Sequence, residues 1–293
     1  MLATVSKHIM TKKILVFISC LFTSLAISQM RERLSYNDLE RYDLYGKVKS
    51  MTYIEYEPRY NSDTTYTLKI YDFLSMKNHI AMFDEKGYLE KKIELFSDLN
   101  DSLSESAIWT YKYDKNNRIV REFRDSKRFG DTTSWNYQYF DNNTTVIKEF
   151  SKTFHVLYYK YVQNENIELL TTANSDSSYQ RTIKFIYDKQ NRLVRKEDFE
   201  NKDTIVNLRI LKYNDESLNY GEEIIEVKKY KHLLSKSFKY DANGNMKEIY
   251  DSHSKLIGTF EYVYDKNKNW TEQRCYNANG RLYNVYKRTL VYY

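Results

Sequence analysis

Three tryptophans and the tyrosines beside them are the residues of this sequence best suited to binding chemistry. Trp109 and Tyr111 alternate along one segment, Trp135 and Tyr137 alternate along a second, and Trp270 lies in a third. Flat aromatic rings can pack against the C–H faces of sugars, so this pattern indicates a carbohydrate-binding surface. Core packing of a sheet is the more ordinary role and the favoured interpretation for any single ring, and carbohydrate binding is the alternative for each of the five.

The polar residues form no comparable pattern for catalysis. The sequence has no Gly-x-Ser-x-Gly elbow, no glycine-rich phosphate loop and no His-Glu-x-x-His motif. Cys275 has no recognisable partner histidine, and four histidines are scattered without metal-ligand spacing: His79, His155, His232 and His253. We therefore expect a protein that is not an enzyme and that binds no metal or other cofactor. A secreted hydrolase that cleaves glycans through two inward-facing carboxylates is the first alternative.

Two segments with alternating oxygen-bearing side chains raise the question of calcium. They are residues 241–245 and 265–269, in which every second residue is Asp or Asn. A helix-flanked calcium loop needs a glutamate at its twelfth position, where this sequence has Ser252 and Tyr276. The capping of turns explains the same residues, and we predict that role for them.

The first 28 residues predict a secretory signal peptide. A pair of lysines precedes an apolar run at residues 14–27, which is too short to cross a bilayer as a helix. Ala26 and Ser28 are small residues suited to cleavage before Gln29. We therefore expect residues 29–293 to form the exported protein, located in the periplasm, at the cell surface or outside the cell.

Cysteine usage bears on the same question. Cys20 lies inside the apolar run and permits an alternative in which the chain is anchored as a lipoprotein, although the run continues past it. If Cys20 leaves with the signal peptide, Cys275 is the sole cysteine that remains, so no internal disulfide can form.

Composition narrows the fold and the partner. The 293 residues carry a formal net charge of +6, with basic and acidic residues mixed throughout. No concentrated basic patch is visible, so we do not expect nucleic-acid binding. The sequence has 30 Tyr and 14 Phe against 7 Gly and 1 Pro. Aromatic residues favour strands, and the sequence lacks the long aliphatic runs of a parallel sheet covered on both faces.

An aromatic residue followed by Asp or Asn and a short polar turn recurs along the chain. Most copies lie 24 to 30 residues apart, which indicates a repeated supersecondary unit. The copies are Phe83-Asp84, Tyr113-Asp114, Phe140-Asp141, Tyr187-Asp188, Tyr213-Asn214, Tyr240-Asp241, Tyr264-Asp265 and Tyr276-Asn277.

Each unit predicts a β-hairpin closed by a type I turn. The Asp or Asn side chain accepts hydrogen bonds from backbone N–H groups, and the fourth turn residue takes a positive φ. Thr144 and Lys268 depart from the Gly or Asn expected at that position. The flanking segments alternate with a period of two, as half-buried strands do. The sequence therefore predicts an all-β fold: an antiparallel meander of repeated β-hairpins that forms an elongated, twisted or coiled sheet.

Residues 113–119, 187–193 and 240–246 resemble the YD repeats of Rhs-type proteins, which also occur in small exported proteins of Bacteroidota. The resemblance implies a hairpin ribbon that coils into a sheet or shell on an extracytoplasmic protein, and it implies carbohydrate binding. Large Rhs proteins also carry a toxin, so a remnant of a toxin-delivery shell is the second alternative. We expect a binding or structural module of the cell envelope, with a polysaccharide or an envelope protein as partner and no transmembrane span.

Overall fold

The computed structural model describes residues 38–62, 65–71, 78–97, 102–140, 144–151, 157–164, 166–174, 180–200, 204–214, 217, 219–228 and 232–293. The predicted signal peptide and the cleavage site before Gln29 lie outside the described residues. Within the described ranges, no helix is both long enough and apolar enough to span a membrane.

The described chain consists of one short helical turn followed by antiparallel strands. The helix α1 spans Asp38–Arg41. The strands follow as β1 (Val48–Tyr60), β2 (Tyr66–Ile70), β3 (His79–Phe83), β4 (Leu89–Ser97), β5 (Leu103–Tyr113), β6 (Ile119–Ser126), β7 (Asp131–Phe140), β8 (Thr144–Ser151), β9 (Leu157–Asn164), β10 (Ile167–Asn174), β11 (Gln180–Tyr187), β12 (Leu193–Glu200), β13 (Thr204–Tyr213), β14 (Tyr220–Val227), β15 (His232–Tyr240), β16 (Met246–Asp251), β17 (Leu256–Tyr264), β18 (Trp270–Asn277) and β19 (Leu282–Tyr292). The predicted all-β antiparallel meander is confirmed.

The meander closes on itself. From β3 to β19, each strand pairs with the next strand along the chain. The last strand, β19, pairs with β1 along residues 48–56, and the opposite edge of β1 pairs with β3 along residues 50–53. Every strand except β2 therefore belongs to a closed ring, and β2 continues the edge of β1 beyond β3. Closure matters because it leaves no strand edge of the ring free to pair with another chain.

One face of this ring carries the aromatic residues of the repeats. Directly paired residues share a face, and the pairings Trp109 with Arg124 and Trp135 with Glu122 place both tryptophans on the same one. Residues of this face are strongly buried, with Glu122 at 1 % and Ala107 at 0 % exposure. A single-layer sheet can bury side chains on the side that it encloses, so we assign this face to the inside of the ring and call it the inner face. The outer face has a smaller buried patch at Ile54, Ile93 and Leu95.

The predicted turns form as expected. Asp241 Oδ1 accepts hydrogen bonds from the backbone N–H groups of Asn243 and Asn245, at 2.9 and 2.8 Å. The fourth residue of the turn has a positive φ at five predicted positions: Gly87, Asn117, Asn191, Gly244 and Gly280. Lys268 adopts φ 67° as well, so the turn geometry holds although the residue departs from the pattern. Thr144 begins β8, and residues 141–143 before it lie outside the described residues.

Tyrosine hydroxyls tie successive hairpins together on the inner face. In each case the hydroxyl donates to the backbone carbonyl of the first residue of the neighbouring strand. The pairs are Tyr113 to Leu89, Tyr139 to Ile119, Tyr213 to Leu193, Tyr240 to Tyr220 and Tyr262 to Met246. These bonds hold one repeat in register with the next, in addition to the backbone ladder.

Candidate functional site

Trp109 on β5 and Trp135 on β7 form a stacked pair on the inner face. Their ring centroids are 5.1 Å apart and their planes differ by 12°. The strand between them is β6. Its residue Arg124 pairs with Trp109, and its residue Glu122 pairs with Trp135. The two indoles therefore meet above β6, and both remain partly exposed to solvent. The pair thus forms a flat aromatic surface that is not fully buried.

A buried carboxylate fixes the orientation of the first indole. Trp109 donates its Nε1–H to Glu94 Oε1 at 2.8 Å, and Arg124 Nη2 donates to Glu94 Oε2 at 3.2 Å. The Arg124 guanidinium also lies 5.7 Å from the centre of a Trp109 ring. Glu94 is 6 % exposed, so both of its bonds form away from bulk water. Glu94 and Arg124 therefore hold Trp109 in one position before any ligand arrives.

The two tyrosines predicted beside this pair contribute to the packing of the wall. Tyr137 is 7 % exposed and donates its hydroxyl to the buried carboxylate of Glu122. Tyr111 packs against two buried clusters, one with Met51 and Phe83 and one with Ile119 and Tyr137. Tyr137 and Ile119 form a buried cluster against which both Tyr111 and Trp135 pack.

Trp270 lies on the same inner face but in a separate cluster. It is on β18, so β19, β1, β3 and β4 lie between it and Trp109. Trp270 is 8 % exposed, and its ring contacts the rings of Tyr53 and Tyr262 edge-on at 6.2 and 6.3 Å. The guanidinium of Arg288 lies 3.5 Å from a Trp270 ring centre. The structure thus brings four of the five predicted residues together and places Trp270 in a second aromatic cluster.

Three other acidic side chains of the inner face each receive a hydrogen bond or ion pair from the chain itself. Tyr187 donates to Glu168 at 2.7 Å, and Arg181 Nε donates to Asp198 at 2.7 Å. Glu223 forms an ion pair with Arg209. These contacts give the carboxylates a structural role in holding neighbouring strands together.

The two segments considered for calcium are turn caps. In the first, Asp241 Oδ2 accepts the hydroxyl of Tyr264, while Oδ1 receives the two backbone N–H groups. In the second, Asp265 Oδ2 accepts the hydroxyl of Tyr292, and Oδ1 receives the N–H groups of Asn267 and Asn269. Across the described ranges, no group of three or more His, Cys, Asp and Glu residues is arranged to hold a metal ion.

Sequence reasoning did not identify Glu94, Arg124 or Arg288. Strand alternation could have placed Arg124 on the inner face, because Arg124 lies two residues after the inner-face residue Glu122. The contacts of Glu94 depend on the pairing of β4 with β5, and those of Arg288 depend on the tight packing of β18 against β19. Local periodicity does not specify such pairings.

The comparisons with known proteins give structural neighbours alone. No protein-family model matches the chain, and no curated protein matches it. The chain is similar to the crystal structure of a porin-like protein from Bacteroides uniformis, with 10% identity, a TM-score of 0.44, and 83% of this chain and 98% of that chain covered. It is also similar to a porin-like protein from Bacteroides vulgatus, with 9% identity, a TM-score of 0.33, and coverages of 84% and 98%.

Proposed function

We propose that this chain is a non-enzymatic binding module that acts outside the cytoplasm and binds polysaccharide on its inner face. The observation that carries the proposal is the stacked, partly exposed pair Trp109 and Trp135, fixed in place by Glu94 and Arg124. Indoles are the side chains best suited to stack on sugar rings, and rings that are already immobilised lose little conformational entropy on binding.

The size of the ring supports access to this pair. Eighteen strands at about 4.8 Å spacing give a circumference of about 86 Å, which is a radius of about 14 Å for a circular section. Packed sheet faces lie about 10 Å apart, so opposite walls of such a ring do not fill the space between them. A ring of circular section would therefore have room for an extended sugar chain.

The outer face supports an aqueous setting. Lys239 forms an ion pair with Glu248, and Lys212 forms one with Glu222, at 2.9 Å in both cases. Charged groups on the outside of a sheet are favourable in contact with water and costly in hydrocarbon. The proposed location in the periplasm, at the cell surface or in the external medium rests on the predicted signal peptide, and an aqueous outer face is compatible with it.

A binding assay on the purified mature chain tests the proposal. Wild-type protein is screened against a panel of neutral and acidic oligosaccharides, and the dissociation constant of each bound sugar is measured by calorimetry. We expect Trp135→Ala to weaken binding about tenfold or more, since the loss of one stacking contact of about 1.4 kcal/mol has that effect. Phe140→Ala is the matched control, because Phe140 is an aromatic residue on the outer face of the same strand and is 55% exposed.

Three outcomes of the same experiment oppose the proposal. Absence of binding to the whole panel contradicts a polysaccharide partner, and equal loss in Trp135→Ala and Phe140→Ala contradicts the inner-face site. Release of new reducing ends during incubation contradicts a non-enzymatic role and favours the hydrolase alternative.

A further inference from the structure

Arg288 on β19 lies in an aromatic enclosure on the inner face. Its guanidinium stacks on Trp270 at 3.5 Å, and it pairs across the ladder with Tyr53. Tyr53 and Tyr262 approach the same indole edge-on, and both act on the charge of Arg288. Tyr42 and Asp43, in the segment that leads into β1, also lie close enough to act on the charge of Arg288.

The guanidinium is not satisfied by hydrogen bonds. In the part of the chain that the structure describes, Arg288 Nε and Nη1 are buried and have no hydrogen-bond acceptor. Burial lowers the pKa of Arg288 to about 10, against the opposing effect of the surrounding phenols and Asp43. Cations are rarely buried without an acceptor, because their desolvation is then uncompensated.

Three other arginines of the inner face show the usual arrangement. Arg124 binds Glu94, Arg181 binds Asp198, and Arg209 binds Glu223. Each of these guanidinium groups therefore has a carboxylate from another strand, adjacent for Arg181 and Arg209 and two strands away for Arg124. Arg288 differs from these three arginines because the residues beside it on the adjacent strands are aromatic, Trp270 and Tyr53, and not acidic.

Asp43 does not take the place of that carboxylate. Burial raises the pKa of Asp43, and the charge of Arg288 offsets this effect in part. Asp43 nevertheless remains exposed to solvent. The charge of Arg288 acts on Asp43, so the two groups lie near each other and solvent can approach the enclosure from the side of Asp43.

We propose that Arg288, with Trp270, Tyr53 and Tyr262 around it, forms a binding site for an oxyanion. The anion is a carboxylate or sulfate group, carried by an acidic sugar or present as a free ion. Guanidinium N–H groups match the oxygens of such anions, and an aromatic enclosure strengthens the bond by excluding water. The neighbouring rings provide a surface for the apolar face of a sugar that carries the charge.

Calorimetric titration of the full mature chain at fixed ionic strength tests this site. The probes are oligogalacturonate, a neutral oligosaccharide of the same length, and inorganic sulfate. We expect oligogalacturonate to bind wild-type protein at least tenfold more tightly than Arg288→Gln. Arg288→Gln is expected to fold, because it removes an uncompensated buried charge. Arg274→Gln is the matched control, because it removes the same charge from the outer face of β18 and leaves the inner face intact.

The results of these titrations distinguish the possible ligands from one another. Arg288-dependent binding of oligogalacturonate supports an acidic sugar as ligand, and Arg288-dependent binding of sulfate with equal affinity supports a free oxyanion. Equal binding of oligogalacturonate to wild-type protein and to Arg288→Gln overturns the site. Trp135→Ala is expected to leave the sulfate response unchanged, so this site and the tryptophan pair can each fail without the other.

Discussion

The hydroxyl of Tyr240 donates a 2.8 Å hydrogen bond to the backbone carbonyl of Tyr220, which is the first residue of β14. Tyr240 belongs to the hairpin of β15 and β16, so the bond joins two successive repeats. Burial is the main cause that raises the pKa of Tyr240, so the hydroxyl keeps its proton and remains a donor. This relationship explains why the repeat favours tyrosine at a position where phenylalanine would fill the same space.

Removing that hydroxyl should weaken the connection between two repeats. We expect Tyr240→Phe to lower the free energy of unfolding by about 1 kcal/mol, because the carbonyl of Tyr220 loses a partly buried donor. Urea denaturation of the two proteins measures the difference. Tyr66→Phe is the control, because Tyr66 is 41% exposed, and its effect should stay within about 0.5 kcal/mol. Equal effects of the two changes would contradict the connecting role of Tyr240.

Lys268 occupies a backbone conformation that favours glycine. Its φ is 67°, and its N–H donates to Asp265 O in the turn between β17 and β18. We expect Lys268→Gly to raise the free energy of unfolding by about 0.5 to 1 kcal/mol, since glycine has no Cβ to clash at positive φ. The measurement is the shift of the urea midpoint.

Gly280 offers the reverse substitution as a control. Its φ is +74°, and a Cβ there would meet no atom within 4 Å, so backbone strain is isolated from packing. Gly280→Lys should destabilise the protein by a similar amount to the gain at Lys268. A loss of stability in Lys268→Gly would show that the lysine side chain makes a contact more important than the strain.

The sequence predicted local structure better than it predicted long-range pairing. An Asp at position 241 followed by Gly244 predicts a turn, because the capping oxygen and the positive φ are properties of those residues. Alternation likewise put Trp109 and Tyr111 on one face. The closure of β19 on β1 joins Val48 to Tyr292, and no local pattern specifies a contact over that separation.

In the candidate site, too, the sequence predicted the local features and not the long-range contacts. The tryptophans were predicted because their types and alternation are visible in the sequence. The sequence did not predict their unequal exposure. Trp270 is enclosed by Arg288 and Tyr53, which come from two other strands. Burial of a ring depends on which strands become neighbours, and that follows from the whole ring.

Acid should weaken the turn between β16 and β17. Hydrogen bonds from the backbone N–H groups of Lys255 and His253 lower the pKa of Asp251 below its ordinary value. A carboxyl group whose pKa is lower in the folded state stabilises the fold above its unfolded pKa, and this contribution is lost as the pH falls through the folded value. We therefore expect a loss of stability that begins near about pH 4 and continues at lower pH.

Asp251→Asn tests this pH dependence. The amide oxygen of Asn277 caps its own turn through the same two kinds of backbone bond, so asparagine should preserve the geometry at position 251. Urea midpoints measured between about pH 6 and pH 2.5 should fall less steeply in the variant than in the wild-type protein. Parallel curves for the two proteins would show that the charge of Asp251 does not contribute to the acid response.

Hydrogen exchange tests the closure of the ring. In an open array, β1 and β19 would be edge strands, and half of their backbone N–H groups would face solvent. In the closed ring, Thr52 pairs with Thr289 on one side and with Ile80 on the other, so β1 has partners along both edges. We expect amides of residues 50–54 and 286–290 to exchange as slowly as those of residues 258–262 in β17, which is flanked by β16 and β18. Exchange at 50–54 that is faster by two orders of magnitude or more, with β17 still protected, would contradict closure, because about 2.7 kcal/mol separates such rates. The comparison within one protein cancels differences in global stability, so the result depends on the pairing of β1 with β19 and β3.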